Sequence, residues 1–380
     1  MRPITLQQPR HLVFGSGAIA EATSWLRQQG YARVHLVTSP SQRQLAANLA
    51  ASLSPSAVTL DASLHGEPTL ADLARALDHA RAAAPDAIVG LGGGSPLDTA
   101  KLVAALLRNQ QQIQDILGIG LLARRDVPLV CIPTTAGTGS EVSPNAVLMD
   151  EAVHLKKAVI SPHLVPDAAF IDPILTHSVP PNITAVTGLD ALTHCIEAYT
   201  NRHAHPLVDV YALPGIRLIA TSLLRAVQQP EHTEARECVA LGSLYGGLCL
   251  GPVNTAAVHA LAYPLAGEFH MAHGLSNALL LPAVFAFNAQ ATPERHAAVS
   301  LAMGLPAAAN ALQTALAGAQ HLQRLAERCG IVMDLAAHDV PRTAIPRMAA
   351  TALTVTRLLR NNPRSISQPE AEAIYTACFR

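Results

Sequence analysis

Two stretches in the first half of this 380-residue chain leave few folds open. Each is an apolar run that stops at a loop of glycine and hydroxyl residues. Asp86-Ala-Ile-Val-Gly-Leu91 runs into Gly92-Gly93-Gly94-Ser95-Pro96, and Val127-Pro-Leu-Val-Cys-Ile132 runs into Pro133-Thr134-Thr135-Ala136-Gly137-Thr138-Gly139-Ser140. A short run with no polar alternation predicts a strand buried on both faces, as in a parallel sheet covered by helices. The neighbouring segments keep the same rhythm. Residues 11–20 read as a strand, a glycine turn and a helix start, 34–38 and 57–60 as strands, and 42–53, 70–83 and 97–107 as helices. This alternation predicts a doubly wound α/β domain.

From about Leu175 the strand-like runs stop. Helical spacing of Leu and Ala then recurs at 183–200, 207–227, 233–250, 254–264, 294–303, 308–329, 341–359 and 368–378. Pro180-Pro181 marks the change, which predicts domains at 1–178 and 179–380, the second mostly helical. The proline-containing stretches 281–293 and 361–369 read as surface loops. With 50% hydrophobic and 14% charged residues and a net charge of −1, the chain has no signature of disorder and no basic excess for nucleic acid. No uninterrupted apolar run is long enough for a membrane span, and the N-terminus lacks the apolar core of a signal peptide. Cys131, Cys195, Cys238, Cys249, Cys329 and Cys378 are widely spaced, with no C-x-x-C pair. They read as reduced thiols of a cytoplasmic protein.

Glycines at 92–94 let the backbone approach a ligand closely, and the helix that follows presents free N–H groups to a pyrophosphate. A tight turn alone would explain the same glycines. The hydroxyl-rich loop at 134–140 ends the next strand, and paired loops at the carboxyl ends of parallel strands are where open α/β sheets bind nucleotides. The G-x-G-x-x-G fingerprint is absent; Gly15-Ser16-Gly17 is a fragment of it. In the helical half, Asp190 and His194 are four apart within an apolar pattern, so on a helix they share one face. His259 and His273 could complete a set of one carboxylate and three imidazoles, suited to Fe²⁺ or Zn²⁺ rather than Mg²⁺ or Ca²⁺. An ordinary surface pair has the same Asp-x-x-x-His spacing.

Four motifs then stand in one order: Gly92-Gly-Gly-Ser-Pro-Leu-Asp-Thr-Ala-Lys101, Pro133-Thr-Thr-Ala-Gly-Thr-Gly-Ser-Glu141, Gly188-Leu-Asp-Ala-Leu-Thr-His194, and His259 followed by His273-Gly274. With Asn362-Pro363-Arg364 near the C-terminus, the chain resembles the iron-containing (group III) alcohol dehydrogenases, of dehydroquinate-synthase-like fold, over nearly its whole length. The resemblance implies an N-terminal dinucleotide-binding α/β domain with a parallel sheet and an all-α C-terminal metal-binding domain. It implies reversible hydride transfer between a small alcohol and NAD or NADP. By position, Asp190, His194, His259 and His273 match the metal ligands, and Gly92, Gly93, Gly94 and Ser95 the pyrophosphate loop. Asp98, Thr134, Thr135, Thr138 and Lys157 match cofactor-contacting positions, and Asn145 a position near the substrate pocket. The expected partners are a small alcohol or aldehyde and further copies of the chain, as a homodimer or larger homo-oligomer, with neither nucleic acid nor membrane.

Three departures carry their own expectations. Relatives commonly place a proton-relaying histidine four residues after the third ligand; here Tyr263 stands there, with His270 as a candidate substitute. A phenol, with a reference pKa of about 10, is a poorer base near neutrality. Ser39 follows the second strand where NAD-specific relatives often carry Asp, so repulsion against a 2′-phosphate is removed and Arg43 lies nearby in sequence; NADP is then tolerated or preferred. Cys249 and Leu250 replace an aromatic found in some relatives, which would open an aliphatic pocket. The rival readings are a maleylacetate-reductase-like enzyme, which tends to lack the His/Asp set, and a dehydroquinate-synthase-like lyase. The lyase would need a basic phosphate pocket that the Lys/Arg-poor stretch 183–290 does not supply.

Overall fold

The computed structural model describes residues 1–152 and 155–380. The chain divides into two compact units, Leu6–His177 and Ser178–Arg380, with Met1–Thr5 grouped in the second.

The first unit contains β1 (His11–Phe14), α1 (Ala18–Gln29), β2 (Arg33–Val37), α2 (Arg43–Ser52), β3 (Ala57–Asp61), α3 (Leu70–Ala83), β4 (Ala87–Gly92), α4 (Gly94–Leu106), α5 (Ile113–Ile116), β5 (Gly118–Ile119), β6 (Leu129–Pro133), β7 (Asn145–Asp150), β8 (Leu155–Ile160) and β9 (Ala168–Ile171). Six strands form a parallel sheet in the order β1-β9-β6-β4-β2-β3. Alternate residues of one strand enter opposite cores. Val89 and Leu91 pack with Ala22 and Leu26 of α1 and Leu49 of α2, while Ile88 packs with Leu73 and Leu77 of α3 and Leu102 of α4. Two covered faces explain why β4 is apolar throughout.

A second sheet, β5-β8-β7, lies outside the expected all-parallel scheme, and β7 pairs with β8 antiparallel from Asn145↔Ile160 to Asp150↔Leu155. Lys156 and Lys157 interrupt the apolar pattern of β8, so composition does not announce it. Helix α4 starts at Gly94, earlier than the expected Leu97, because Pro96 sits in its first turn, where a missing N–H costs nothing.

The second unit is helical among the described residues: α6 (Pro181–Tyr199), α7 (Pro206–Gln228), α8 (Thr233–Leu250), α9 (Ala257–Phe269), α10 (His273–Ala289), α11 (Pro293–Ala302), α12 (Ala311–Arg328), α13 (Ile345–Leu353), α14 (Thr356–Leu359) and α15 (Gln368–Ala377). The surface loop expected at 281–293 is largely the second half of α10, which runs through Pro282 with Leu280, Leu281, Val284 and Phe285 buried. Likewise α9 continues through Pro264 to Phe269. An interior proline costs roughly 3 kcal/mol, and burial of several large side chains on the same helix outweighs it. The expected helix at 341–359 is broken into α13 and α14. Helix α7 is long and apolar enough to span a bilayer by length and composition, with a mean hydropathy of 1.5. Here its Val208, Ala212, Ile216, Ile219 and Leu223 are buried in the bundle.

Candidate active site

Helix α6 supplies the foundation of the site. Asp190, His194 and Glu197 fall four and three residues apart on it, which puts all three on one face. His259 comes from the first turns of α9, and His273 is the first residue of α10. Small residues let these helices close in. A Cβ on Gly274 would lie 2.5 Å from the Val186 carbonyl oxygen of α6, and one on Gly246 would lie 3.2 Å from the His194 Cβ. The chain thus brings Asp190, His259 and His273 into one tight group, with His194 beside Asp190 on α6.

Asp190 Oδ1 is 3.9 Å from His194 Nε2, 3.6 Å from His259 Nε2 and 3.7 Å from His273 Nε2. Donors bound to one tetrahedral ion at about 2.1 Å stand roughly 3.4 Å from one another. Asp190, His259 and His273 bring ligand atoms that all lie within 4.8 Å of one another, while His194, on the same helix face as Asp190 and 3.9 Å from it, lies outside that tight group. One carboxylate with imidazoles suits Fe²⁺ or Zn²⁺. Burial by itself raises the Asp190 carboxyl, but the His194 and His273 imidazoles and the hydrogen bond with His259 hold it far below the usual carboxylate range. Asp190 is accordingly an anion ready to ligate.

Two residues that the sequence motifs do not single out complete the arrangement. Glu197, 4% exposed, accepts from Ala256 N at 3.0 Å, Val258 N at 2.6 Å and His259 Nδ1 at 2.6 Å. Its carboxylate caps the N-terminus of α9, which has no side-chain cap of its own. The same contact keeps a proton on His259 Nδ1, so that Nε2, which faces Asp190, is the nitrogen that would give up its proton to ligate an ion. Burial depresses the His259 imidazole, yet the Glu197 carboxylate, with Asp190, lifts it to about 9. Asn277, one turn after His273, donates Nδ2 to Asp190 Oδ1 at 2.6 Å and lies 3.1 Å from His259 Nε2 and 3.3 Å from His273 Nε2. Its Oδ1 is buried without a partner. The spacings 190–194–197 and 273–277 were the available signals, since each keeps to one helix face.

The two relay candidates are not equivalent. Tyr263 follows His259 by one turn of α9, is 9% exposed, and accepts a hydrogen bond from Arg357 Nη2 at 2.9 Å. His270 is exposed in left-handed backbone, φ 52°, at the end of α9, and no hydrogen bond ties it to the four ligands. Cys249 and Leu250, expected to open an aliphatic pocket, are both buried, near the C-terminal end of α8.

In the first unit, the carboxyl ends of the adjacent strands β2, β4 and β6 place Ser39, Gly92–Ser95 and Thr134–Thr138 side by side. The two loops touch. A Cβ on Gly93 would be 3.3 Å from Thr135 Oγ1, and one on Gly94 would be 2.6 Å from Thr138 Cγ2. Gly92, at φ 146°, turns the chain where an L side chain would be strained. This is a backbone cradle with hydroxyls on one wall, opening onto the N-terminus of α4, as a pyrophosphate requires. Thr134 is buried, and its N–H donates to the Gly92 carbonyl.

Asp98 braces this cradle from behind: it accepts from Ser140 Oγ and from Val147 N at 2.9 Å. Lys101, fully buried, donates to the Ser140 carbonyl at 2.8 Å and the Ser143 carbonyl at 2.7 Å, pinning the segment that follows Thr138. Asn145 Oδ1 is buried and unpartnered, and Lys157 sits opposite Leu148 in the β7–β8 pair. Ser39 starts a short 3₁₀ turn, Pro40–Gln42, with its hydroxyl 2.9 Å from that of Ser41.

Comparison with known proteins gives one consistent answer. The iron-containing alcohol dehydrogenase profile matches residues 9–173, and the C-terminal profile of the Fe-containing alcohol dehydrogenase family matches residues 184–379. The chain is 37% identical to long-chain-alcohol dehydrogenase 1 of Geobacillus thermodenitrificans over 96% of its length and 86% of the relative's. It is 31% identical to lactaldehyde reductase of Escherichia coli, covering 95% of this chain and 96% of that one. A crystal structure of 1,3-propanediol oxidoreductase superposes with a TM-score of 0.95 at 32% identity, covering 100% of both chains. Sulfoacetaldehyde reductase from Bifidobacterium kashiwanohense, solved in complex with NAD⁺, superposes at 0.90 with 26% identity, covering 100% of this chain and 99% of that one.

Proposed function

The chain belongs to the iron-containing alcohol dehydrogenase family, and from that premise we propose that it interconverts a small aldehyde or ketone and its alcohol with a nicotinamide cofactor and one divalent ion. The observation that supports this reading is the tight grouping of Asp190, His259 and His273, with His194 3.9 Å from the Asp190 carboxylate on the same helix face. When bound, the ion supplies Lewis-acid polarisation of a carbonyl and the nicotinamide supplies the hydride. The protein's own residues do the rest. Asp190 would contribute the one anionic ligand, leaving net positive charge on a bound divalent ion. Glu197 keeps a proton on His259 Nδ1, and Asn277 holds the Asp190 carboxylate in place. The glycine cradle and the N-terminus of α4 would hold the cofactor pyrophosphate, with Thr135 and Thr138 along its wall. Tyr263 would sit nearest to the proton path, one turn from His259.

The donor set supports Fe²⁺ or Zn²⁺, of which we propose Fe²⁺ from family membership. NADP(H) would be used at least as well as NAD(H). Position 39 carries a serine, and the nearest strand-end carboxylate, Asp61, is 1% exposed and engaged with Ser63 N and Oγ. No carboxylate is thus offered there to a ribose 2′-hydroxyl, and none repels a 2′-phosphate. The intact His/Asp set speaks against the maleylacetate-reductase-like alternative. The test is aldehyde reduction by metal-loaded protein with NADH and NADPH side by side. Comparable or faster turnover with NADPH is expected, and a strong NADH preference would refute the Ser39 argument. Net consumption of reduced cofactor separates the dehydrogenase from a lyase, which regenerates its cofactor.

A further inference from the structure

The half-buried guanidinium of Arg357 meets no carboxylate among the described residues. Arg357 lies in α14, which packs on α9, and its one acceptor among the described residues is the phenol oxygen of Tyr263, at 2.9 Å. Arg295 meets Asp209 and Arg364 meets Glu370, each at 2.6 Å, and the buried Arg236, without a carboxylate, donates to the Pro230 and Val179 carbonyls and to Thr184 Oγ1. The acid at the end of α9, Glu268, is already engaged with Arg347. Arg360 follows one turn later in the chain.

A partly shielded guanidinium with one of its five N–H groups bonded among the described residues is well suited to a planar anion. Its place makes that suitability specific. Tyr263 follows His259 by four residues, about 6 Å along the same face of α9, so the phenol fixes the guanidinium on the side of the helix that carries a metal ligand.

We propose that Arg357, held by Tyr263, is an anion-binding subsite beside the metal centre, and that the preferred substrate is an aldehyde bearing a carboxylate or comparable negative group near its carbonyl. This rests on the dehydrogenase reading above and names its substrate class. The anionic group undergoes no bond change; it orients the carbonyl, while the hydride goes to the carbonyl carbon and the proton to its oxygen.

The test compares matched aldehydes with metal-loaded enzyme and the better of the two nicotinamide cofactors: glyoxylate against acetaldehyde, malonic semialdehyde against propionaldehyde, and succinic semialdehyde against butyraldehyde. At least one charged member should exceed its neutral partner in kcat/KM by about tenfold at low ionic strength, with the advantage shrinking as salt is raised. Arg357→Met should lower the charged-to-neutral selectivity about 10- to 100-fold, mostly through KM, and Arg357→Lys should recover part of it. Thermal melts of both variants establish that they fold. No charged preference in any pair, or an equal loss for both members in Arg357→Met, overturns the subsite and leaves the dehydrogenase standing. No turnover of any aldehyde, neutral or charged, overturns the underlying activity and the subsite with it.

Discussion

Replacing Glu197 by Gln should weaken metal binding about 10- to 100-fold without unfolding the protein. The carboxylate faces three donors: the backbone N–H groups of Ala256 and Val258 and the His259 Nδ1–H. A glutamine amide of the same shape offers one oxygen, which can still take the Val258 N–H. Turned so that this oxygen takes the Ala256 N–H and the His259 Nδ1–H instead, the amide sets its NH₂ against the Val258 N–H alone. In either orientation a donor–donor conflict remains and the negative charge behind the His259 bond is gone. Nε2, the atom that faces Asp190, is then a less basic ligand. Losing one charge-assisted hydrogen bond costs about 1.5–3 kcal/mol, which gives the stated range. The assay is competition for Zn²⁺ between purified apo-protein and a chromophoric chelator at neutral pH, with melting temperatures measured in parallel. An affinity within twofold of wild type, in a variant that melts normally, would refute the claim that the Glu197 charge strengthens His259 as a ligand.

Other consequences are as direct. Asn277→Leu removes the donor to Asp190 and should weaken metal affinity about tenfold, read by the same competition. Gly94→Ala would place a methyl 2.6 Å from Thr138 Cγ2, so the two loops must part; NAD(P)H affinity, measured by calorimetry, should fall about tenfold or more while metal affinity holds. Burial pushes the His296 imidazole down to about 4, below its unfolded value of 6.5. The fold therefore favours its neutral form, and its contribution is whole above about pH 6.5 and is lost as pH falls toward 4. That loss approaches about 3 kcal/mol, and a His296→Leu variant should show a shallower acid limb in denaturant titrations.

The residues that speak in the sequence are those whose local pattern matches a physical need. Strands β4 and β6 are continuous apolar runs because helices cover both faces of the sheet; Gly92 stands at a positive φ against Pro96, and Gly93 and Gly94 stand where Thr135 and Thr138 crowd a Cβ. The ligands are legible as an Asp-x-x-x-His pair and two distant histidines, because one helix face must carry two donors. Strand β8 is obscured by Lys156 and Lys157, the first of which pairs with Glu67 at 2.6 Å. Helix α10 is obscured by Pro282, whose local cost is overruled by burial of the whole helix. Glu197, Asn277 and Lys101 are hidden for a different reason: each acts on an atom from a distant part of the chain, and no local spacing reveals that partner.

The measurement that bears most directly on the central claim is an anaerobic titration of apo-protein with Fe²⁺, following bound metal and NAD(P)H-dependent aldehyde reduction in the same samples. Activity should rise in proportion to occupancy and stop at one ion per chain, and His259→Ala should neither bind the ion tightly nor regain turnover. Aldehyde reduction that is independent of metal content, or a fully loaded protein that turns over no aldehyde with either cofactor, would contradict the account.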